Sequence, residues 1–466
     1  MTTFEDPVPG GRPGEVEQAR RLSADLAGRG VHGVVLSWID TVGVNRIKTV
    51  PVARLASTVA WGAGMSPTFD TFLADDSLTG TDRLGGPDGD LRLYPDLSRL
   101  VVLAGQPGWA WAPVDRLSQD GTPYLACSRS LLRHQVSAAA ASGISYRAGI
   151  EIEFALGRGD VPPGEYAPAC LGPAYSMTRL IEQSDFCATV LAALAEQGVD
   201  VDQIHPEYST GQYEVSVGAL DPVGAADRSV LVRQTIRAVA AGHGLRVSFS
   251  PAVLSTGVGN GGHVHLSAWR DGVNLHAGGP GRYGMTLHAE SFVAGLVEGL
   301  PALAAVATPS PASYLRLQPS HWAGVYACWG HETRESAVRL VTGMVGHQDR
   351  SANLEVKCAD LSANPYLLLI GVLAAGQDGV ARGAALGDEI TGDPARFEAA
   401  ELVARGVRRL PTSLTEAVEA FEASVLLKDA YGGALADAIS AVRRGEVDRT
   451  TGLTPDQVAE AYRWVF

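Results

Sequence analysis

Short β-type runs separated by long helical ones recur along the chain, with no internal repeat and no low-complexity linker between them. That alternation is best satisfied by an antiparallel sheet backed by helices, the α+β class. The first unit begins with an amphipathic helix over Glu15–Gly28, stopped by Gly28–Gly30. A strand over Val31–Ile39, a turn at Asp40–Gly43 and a returning strand over Arg46–Pro51 make a hairpin. Leu91–Tyr94, Leu100–Leu103 and Trp109–Pro113 add short strands, and Trp61–Asp76 has no clear period. Residues 15–115 are therefore expected to form a small α+β domain. Residues 120–466 form the second unit, with helices over Leu131–Ser142, Met177–Glu196 and Ser229–His243. Its strands are Ser145–Ala155, Tyr213–Val217, Leu245–Phe249, Val264–Trp269 and Glu355–Lys357, and the chain is mostly helical from Pro365 onward.

Composition removes several classes of function. A chain of 466 residues suits two unequal domains. Hydrophobic residues at 46% and charged ones at 19% exclude global disorder. Lys and Arg number 37 against 51 Asp and Glu, a net charge of −14, which argues against general nucleic-acid or anionic-membrane binding. The longest apolar stretch, Tyr366–Gly376, falls short of the roughly 20 residues of a membrane span and reads as a buried helix. Residues 1–14 are acidic and rich in Pro and Gly, without the basic start and apolar core of a secretion signal, and read as a frayed tail. The five cysteines have no CxxC spacing, so neither a disulfide framework nor a cysteine metal site is expected, and the setting reads as cytoplasmic and reducing.

The chemistry is concentrated in acidic and imidazole side chains. Glu151 and Glu153 share one face of a strand, with Ile150, Ile152 and Phe154 on the other. Two like charges on a half-buried face repel unless a cation lies between them. Glu207 and Glu214 add carboxylates across a turn, and a glycine-rich loop, Gly257–Gly262, leads into His263 and His265 on one strand face. Arg316, Arg334 and Arg339 lie among Tyr314, Trp322, Tyr326 and Trp329, and arginine is the natural bidentate partner of carboxylate and phosphate. Glu355 and Lys357 share a strand face and, taken alone, read as a surface ion pair. Oxygen and imidazole donors together suit Mg²⁺ or Mn²⁺. Acidic clusters beside basic ones, without a Walker loop, point to ATP held through metal ions and reacting with a carboxylate.

The ordered motifs carry a resemblance. Glu151-x-Glu153, Glu207 with Gly211-Gln212-x-Glu214, and Gly259-Asn260-Gly261-x-His263-x-His265-x-Ser267 come first. Ser313-Tyr314-x-Arg316-Leu317, Arg334 with Arg339, and Glu355 followed by Asp360-x-Ser362-Ala363-Asn364-Pro365-Tyr366 complete the set. Across nearly its whole length the chain resembles the glutamine synthetase superfamily. The resemblance implies an N-terminal β-grasp domain and a C-terminal catalytic domain, a curved antiparallel sheet with outer helices. It implies a homo-oligomer of two stacked hexamers, in which one subunit's N-terminal domain closes its neighbour's funnel. It also implies ATP and two or three Mg²⁺ or Mn²⁺ ions per site. Glu153, Glu207 and Glu214 would hold the first metal, and Glu151, His263 and Glu355 the second. His265 and Ser267 would contact nucleotide, Arg334 and Arg339 phosphate, and Arg316 the glutamate carboxylate, with Gly259, Trp322 and Lys357 also lining the substrates. The implied reaction is phosphorylation of glutamate to γ-glutamyl phosphate, then attack by an amine.

The sequence departs from the ammonia-using members in informative places. Their loop glutamate, which takes a proton from ammonium, is replaced by Trp322 within Arg316-Leu317-Gln318-Pro319-Ser320-His321-Trp322. A tryptophan face can hold an alkylammonium, and His321 is the candidate base. Their ammonium-binding Asp-Gly-Ser-Ser turn is replaced by Gly64-Met65-Ser66-Pro67-Thr68-Phe69-Asp70, leaving Asp70, Asp75 and Asp76 to attract a polycation. Lys357 stands where the family usually has arginine, and Val258 where it often has asparagine. The pattern looks like the γ-glutamylpolyamine synthetase branch, with putrescine, cadaverine, spermidine or spermine as the amine. An ammonia-using glutamine synthetase, a γ-glutamyl-monoamine (ethanolamine) synthetase and a catalytically inactive relative are the alternatives.

Overall fold

The computed structural model describes residues 13–466. The first helix runs Pro13–Gly28, so Pro13 and Gly14 are helical, and the rest of the expected tail lies outside the described residues. The strands in chain order are β1 (Gly33–Ile39), β2 (Asn45–Pro51), β3 (Ala63–Met65), β4 (Leu91–Pro95), β5 (Val101–Val102) and β6 (Trp109–Ser118). There follow β7 (Ser145–Ile150), β8 (Ile152–Arg158), β9 (Val201–Pro206), β10 (Gln212–Val217), β11 (Leu245–Ser248) and β12 (Val264–Arg270). The last are β13 (Val273–Asn274), β14 (Tyr326–His331), β15 (Ser336–Val341), β16 (Asn353–Val356) and β17 (Arg408–Arg409).

β1 to β6 form one sheet in the order β2-β1-β6-β4-β3, with β5 on β6. The hairpin β1–β2 and the parallel β1–β6 pair at its centre give the grasp-type mixed sheet. The helices Pro13–Gly28 and Leu55–Trp61 pack on it around Leu26, Val34, Leu36, Leu55, Leu93 and Ala112. The acids expected nearby to attract a polycation are partly spent in this unit. Asp70 is buried, accepting two hydrogen bonds from the Arg116 guanidinium at 2.8 Å and one from Tyr124 at 2.9 Å. Asp76 pairs with Arg46 at 2.6 Å. Asp75 binds Ser77 and lies 3.7 Å from Arg449.

The rest of the chain carries two further sheets, β11-β8-β10-β9 and β13-β12-β16-β15-β14-β17, with β7 on β12. Pairing is antiparallel except for β14 with β15. The expected single strand Ser145–Ala155 is two strands. β7 belongs to one sheet and β8 to the other, and the chain changes sheet at Glu151. The expected helix Met177–Glu196 is likewise divided at Gln183 into Met177–Glu182 and Ser184–Glu196. The expected helix from Ser229 begins earlier, at Pro222, where Asp221 caps it by accepting from Gly224 N–H.

Behind the sheets, Leu287–Ala307 lies against Pro365–Arg382. Leu287–Ala307 is long and apolar enough to cross a membrane, but 67% of its most apolar window is buried inside the protein, as suits a core helix. The two helices meet at Gly295 and Gly379, where a Cβ on either would come within 2.7 Å of the other's backbone. Asn364 caps the second helix by accepting from Tyr366 and Leu367 N–H. Its amide also donates to the Ile39 and Asp40 carbonyls of the first unit, so the Asp360–Tyr366 motif joins core to N-terminal sheet.

Candidate active site

Strand register assembles the site. Glu214 on β10 faces Glu153 on β8 and His205 on β9. In the larger sheet, Glu355 on β16 faces His265 on β12 and Arg339 on β15. Directly paired residues bring their Cβ atoms within about 5 Å, so each sheet presents one row of ionisable groups. Glu151, at the crossing between sheets, joins the rows: its oxygens lie 2.7 Å from His263 Nδ1 and 3.0 Å from His265 Nε2. Three sets of donor atoms cluster within 4.8 Å: Glu151 with His263 and Glu355, Glu151 with Glu153 and Glu214, and His205 with Glu207 and Glu214.

The glycine-rich loop closes over this cluster. Gly261 N–H donates to Glu153 at 2.8 Å, and a Cβ there would lie 2.5 Å from His263 Nε2 and 2.7 Å from Glu153 Oε1. Only glycine allows that approach. Gln212 also donates to Glu153 at 2.9 Å. Arg316 is buried, donating to the Cys358 and Lys357 carbonyls at 2.9 and 3.0 Å, with Nη2 3.2 Å from His263 Nε2.

Glu355 and Lys357 correct the surface-pair reading. Both side chains are at most 3% exposed and meet at 2.9 Å, and Arg339 also donates to Glu355 at 3.0 Å. Burial works against the Glu355 charge, but Lys357, His265 and His263 outweigh it and hold the carboxyl down to about 2. Burial likewise opposes a charged His265, yet its hydrogen bond to Glu151 and the charges of Glu151 and Glu355 raise it to about 9. At Glu153 and Glu207 the compensation falls short of the burial. Burial and the neighbouring Glu214 raise Glu153, and burial with Glu153 and Glu214 pushes Glu207 up to about 7 despite the Tyr175 hydroxyl at 2.5 Å. Crowded carboxylates that burial pushes toward protonation are the donor set a divalent cation relieves. A cation must displace the proton. We therefore expect Mg²⁺ binding to release a proton at pH 6, with affinity falling about tenfold per pH unit below 7. Calorimetry in buffers of different ionisation enthalpy measures this, and a pH-independent affinity would contradict it.

A cavity of about 700 Å³ opens above the cluster. It is lined by Glu151, Glu153, Glu207, Glu214, His263, Glu355, Gly259, Arg316, Arg334, Arg339, Lys357, His321 and Trp322 among the residues expected from sequence. His265 reaches the cluster through Glu151 but does not line the cavity, and neither does Ser267, whose hydroxyl accepts from Trp269. His205, Tyr175, Tyr208 and Gln212 line it without having been expected there. Arg179 is a further unexpected contributor: buried, it donates to the carbonyls of Glu207, Tyr208 and Ser209 and fixes the loop carrying Glu207. Gln212 lay inside a quoted motif, whereas nothing in the sequence around Arg179 points to the loop it binds.

The mouth is aromatic. The rings of Trp322 and Tyr208 are 5.0 Å apart, and Tyr175, 61% exposed, lines the same cavity. Trp322 has φ 56° and Ser320 φ 60°, both left-handed, and Trp322 N–H donates to Glu335 at 3.0 Å. His321 has a buried Nδ1 with no hydrogen-bond partner.

The model of the glutamine synthetase catalytic domain matches residues 125–462. The chain is 64% identical to the γ-glutamylpolyamine synthetase GlnA3 of Streptomyces coelicolor, over 99% of each chain. It is 29% identical to the glutamate–methylamine ligase of Methyloversatilis universalis, over 86% of this chain and 89% of that one. A crystal structure described as a novel glutamine synthase homologue superposes with a TM-score of 0.82 at 32% identity, covering 94% of this chain and 99% of its own. With its catalytic region matched throughout and a relative alike over nearly the full length, the chain belongs to the glutamine synthetase family.

Proposed function

We propose that the protein is an ATP-dependent γ-glutamyl-amine ligase whose amine is a polyamine such as putrescine, cadaverine, spermidine or spermine. The observation that carries this reading is the Trp322–Tyr208 pair at the mouth of an acid-lined cavity, where ammonia-using relatives rely on a glutamate. The name of the 64% identical relative supports it. Five glutamates and three histidines lining the cavity leave the site equipped for turnover and speak against an inactive relative.

Glu151, Glu153, Glu207, Glu214, Glu355 and His263 would hold two or three Mg²⁺ or Mn²⁺ ions, and His205 is added to the candidate ligands by its place beside Glu207 and Glu214. Bound there, the cations neutralise the phosphates of ATP and the phosphoryl group in flight. Arg334 and Arg339 bind and orient that phosphoryl group, while His265 acts through its bond to Glu151. Arg316 holds glutamate against Gly259, with Lys357 keeping the anionic end of the pocket compensated. A γ-carboxylate oxygen attacks the terminal phosphorus and ADP leaves. The neutral amine then attacks the acyl carbon, and phosphate departs with that oxygen. Before that attack His321 takes the proton of the bound ammonium to give the neutral amine, a role its unpartnered Nδ1 leaves open. Residues 15–115 would act as a lid domain on the 120–466 catalytic domain, in a dodecamer of two stacked hexamers. Five free, buried cysteines support a reducing, cytoplasmic setting.

Phosphate release with Mg²⁺, ATP and glutamate, measured against ammonium, methylamine, ethanolamine and four polyamines, tests the reading. Release driven chiefly by polyamines is expected, and release driven chiefly by ammonium would overturn it. In the same assay Trp322→Glu should lose about tenfold in kcat/KM for polyamines as the ring face goes, and gain ammonium use. An unchanged amine preference would remove Trp322 from the pocket.

A further inference from the structure

Resting on the polyamine reading, we infer that Glu335, with Asp393 beside it, is the specificity-determining carboxylate that receives the distal ammonium of the amine. Neither residue belongs to the donor sets above. Glu335 immediately precedes β15, so its position is fixed by the sheet, and it is half-buried next to Arg334. Its Oε1 accepts the Trp322 N–H at 3.0 Å, which brings the carboxylate to the aromatic mouth. Asp393, also half-buried, accepts from the Ser320 hydroxyl at 2.6 Å. The two acids thus hold both ends of a segment whose backbone is left-handed at Ser320 and Trp322, a conformation non-glycine residues enter at a cost.

Among the described residues, Glu335 has no cationic side chain within ion-pair distance; Lys357, whose charge it feels, is already bound to Glu355. Burial raises its carboxyl, the Trp322 N–H opposes that rise, and Asp393 adds to it. A half-buried acid without an ion-pair partner, bonded to the backbone of the Trp322 whose ring meets Tyr208, is matched by an alkylammonium: the rings hold the cation and the carboxylate neutralises it. The substrate supplies that cation. To attack, the reacting nitrogen of a diamine must be neutral, while the distal nitrogen stays protonated and needs a partner where the chain emerges. A monoamine has no such charge, so Glu335 should separate amines by their second charge.

Glu335→Gln tests this, because the amide oxygen can still accept the Trp322 N–H while the charge is gone. Steady-state kinetics would compare putrescine with n-butylamine at saturating ATP and glutamate. We expect KM for putrescine to rise about tenfold with kcat little changed, as for loss of one charge-assisted hydrogen bond. KM for n-butylamine and for glutamate should stay as they were. An unchanged putrescine KM, or an equal rise for both amines, would overturn the inference, the latter because it reports loop distortion. Should the variant fail to fold, the native enzyme carries the test: added salt should raise KM for putrescine more than for n-butylamine, and equal sensitivity would overturn the inference. A native enzyme that turns over n-butylamine but not putrescine would instead defeat the polyamine reading itself.

Discussion

Replacing Glu151 by alanine is expected to abolish amide synthesis while the protein stays folded. Glu151 is the point where the chain leaves β7 for β8, and its carboxylate is shared among His263, His265, Glu153, Glu214 and Glu355. No neighbouring acid can take its place, because each is fixed in strand register or held by Gly261, Gln212 or Lys357. Loss of one cation's charge stabilisation is worth several kcal/mol in the transition state, so kcat should fall by at least about 10³-fold. In the metal-free protein the same change takes the carboxylate partner from His263 and His265, so a modest fall in stability with the fold retained is expected. Product formation by mass and thermal unfolding of the two proteins check both halves. A variant with native turnover would remove the metal assignment.

The second large effect is on stability. Arg129, 4% exposed in its side chain, donates two hydrogen bonds to Asp227 at 2.9 and 2.8 Å and one each to Asp115 at 3.0 Å and Asp96 at 2.6 Å. Asp96 and Asp115 belong to the first sheet's unit, Asp227 to the helix Pro222–Gly242, and Tyr366 donates its hydroxyl to Asp227. One guanidinium therefore ties the N-terminal unit to the catalytic core. Arg129→Met fills similar space but strips Asp227, almost wholly buried, of both guanidinium hydrogen bonds, while Asp96 and Asp115 keep only the half-exposed Arg133 as a cation. Removing one partner of a buried network costs about 3–5 kcal/mol. An unfolding free energy from urea titration lowered by that amount is expected, with faster proteolysis between the two units, and a loss below about 1 kcal/mol would show that the remaining partners suffice.

Much of this architecture was legible in the sequence because the relevant signals are local. Strand alternation put Glu151 with Glu153 on one face and His263 with His265 on another, and the family resemblance joined the two pairs. What stayed hidden depends on long-range pairing. Alternation continues smoothly through Glu151 although the chain changes sheet there, since period alone does not report the partner strand. Asp70 read as an available acid because Arg116, which neutralises it, is 46 residues away. Glu355 and Lys357 read as a surface pair because nothing local tells that β16 is flanked on both sides, by β12 and β15. His205 gained meaning only through its register with Glu214. Glu335 is the same case: its link to Trp322 follows from the left-handed turn at the mouth.

In the proposed reaction glutamate is activated as an acyl phosphate and then taken by a polyamine. Glutamate labelled with ¹⁸O in its γ-carboxyl, incubated with the protein, ATP, Mg²⁺ and putrescine, tests this in one reaction. One labelled oxygen in the released phosphate and a product with the mass of γ-glutamylputrescine are expected. Unlabelled phosphate, or labelled phosphate formed only when ammonium replaces putrescine, would contradict it.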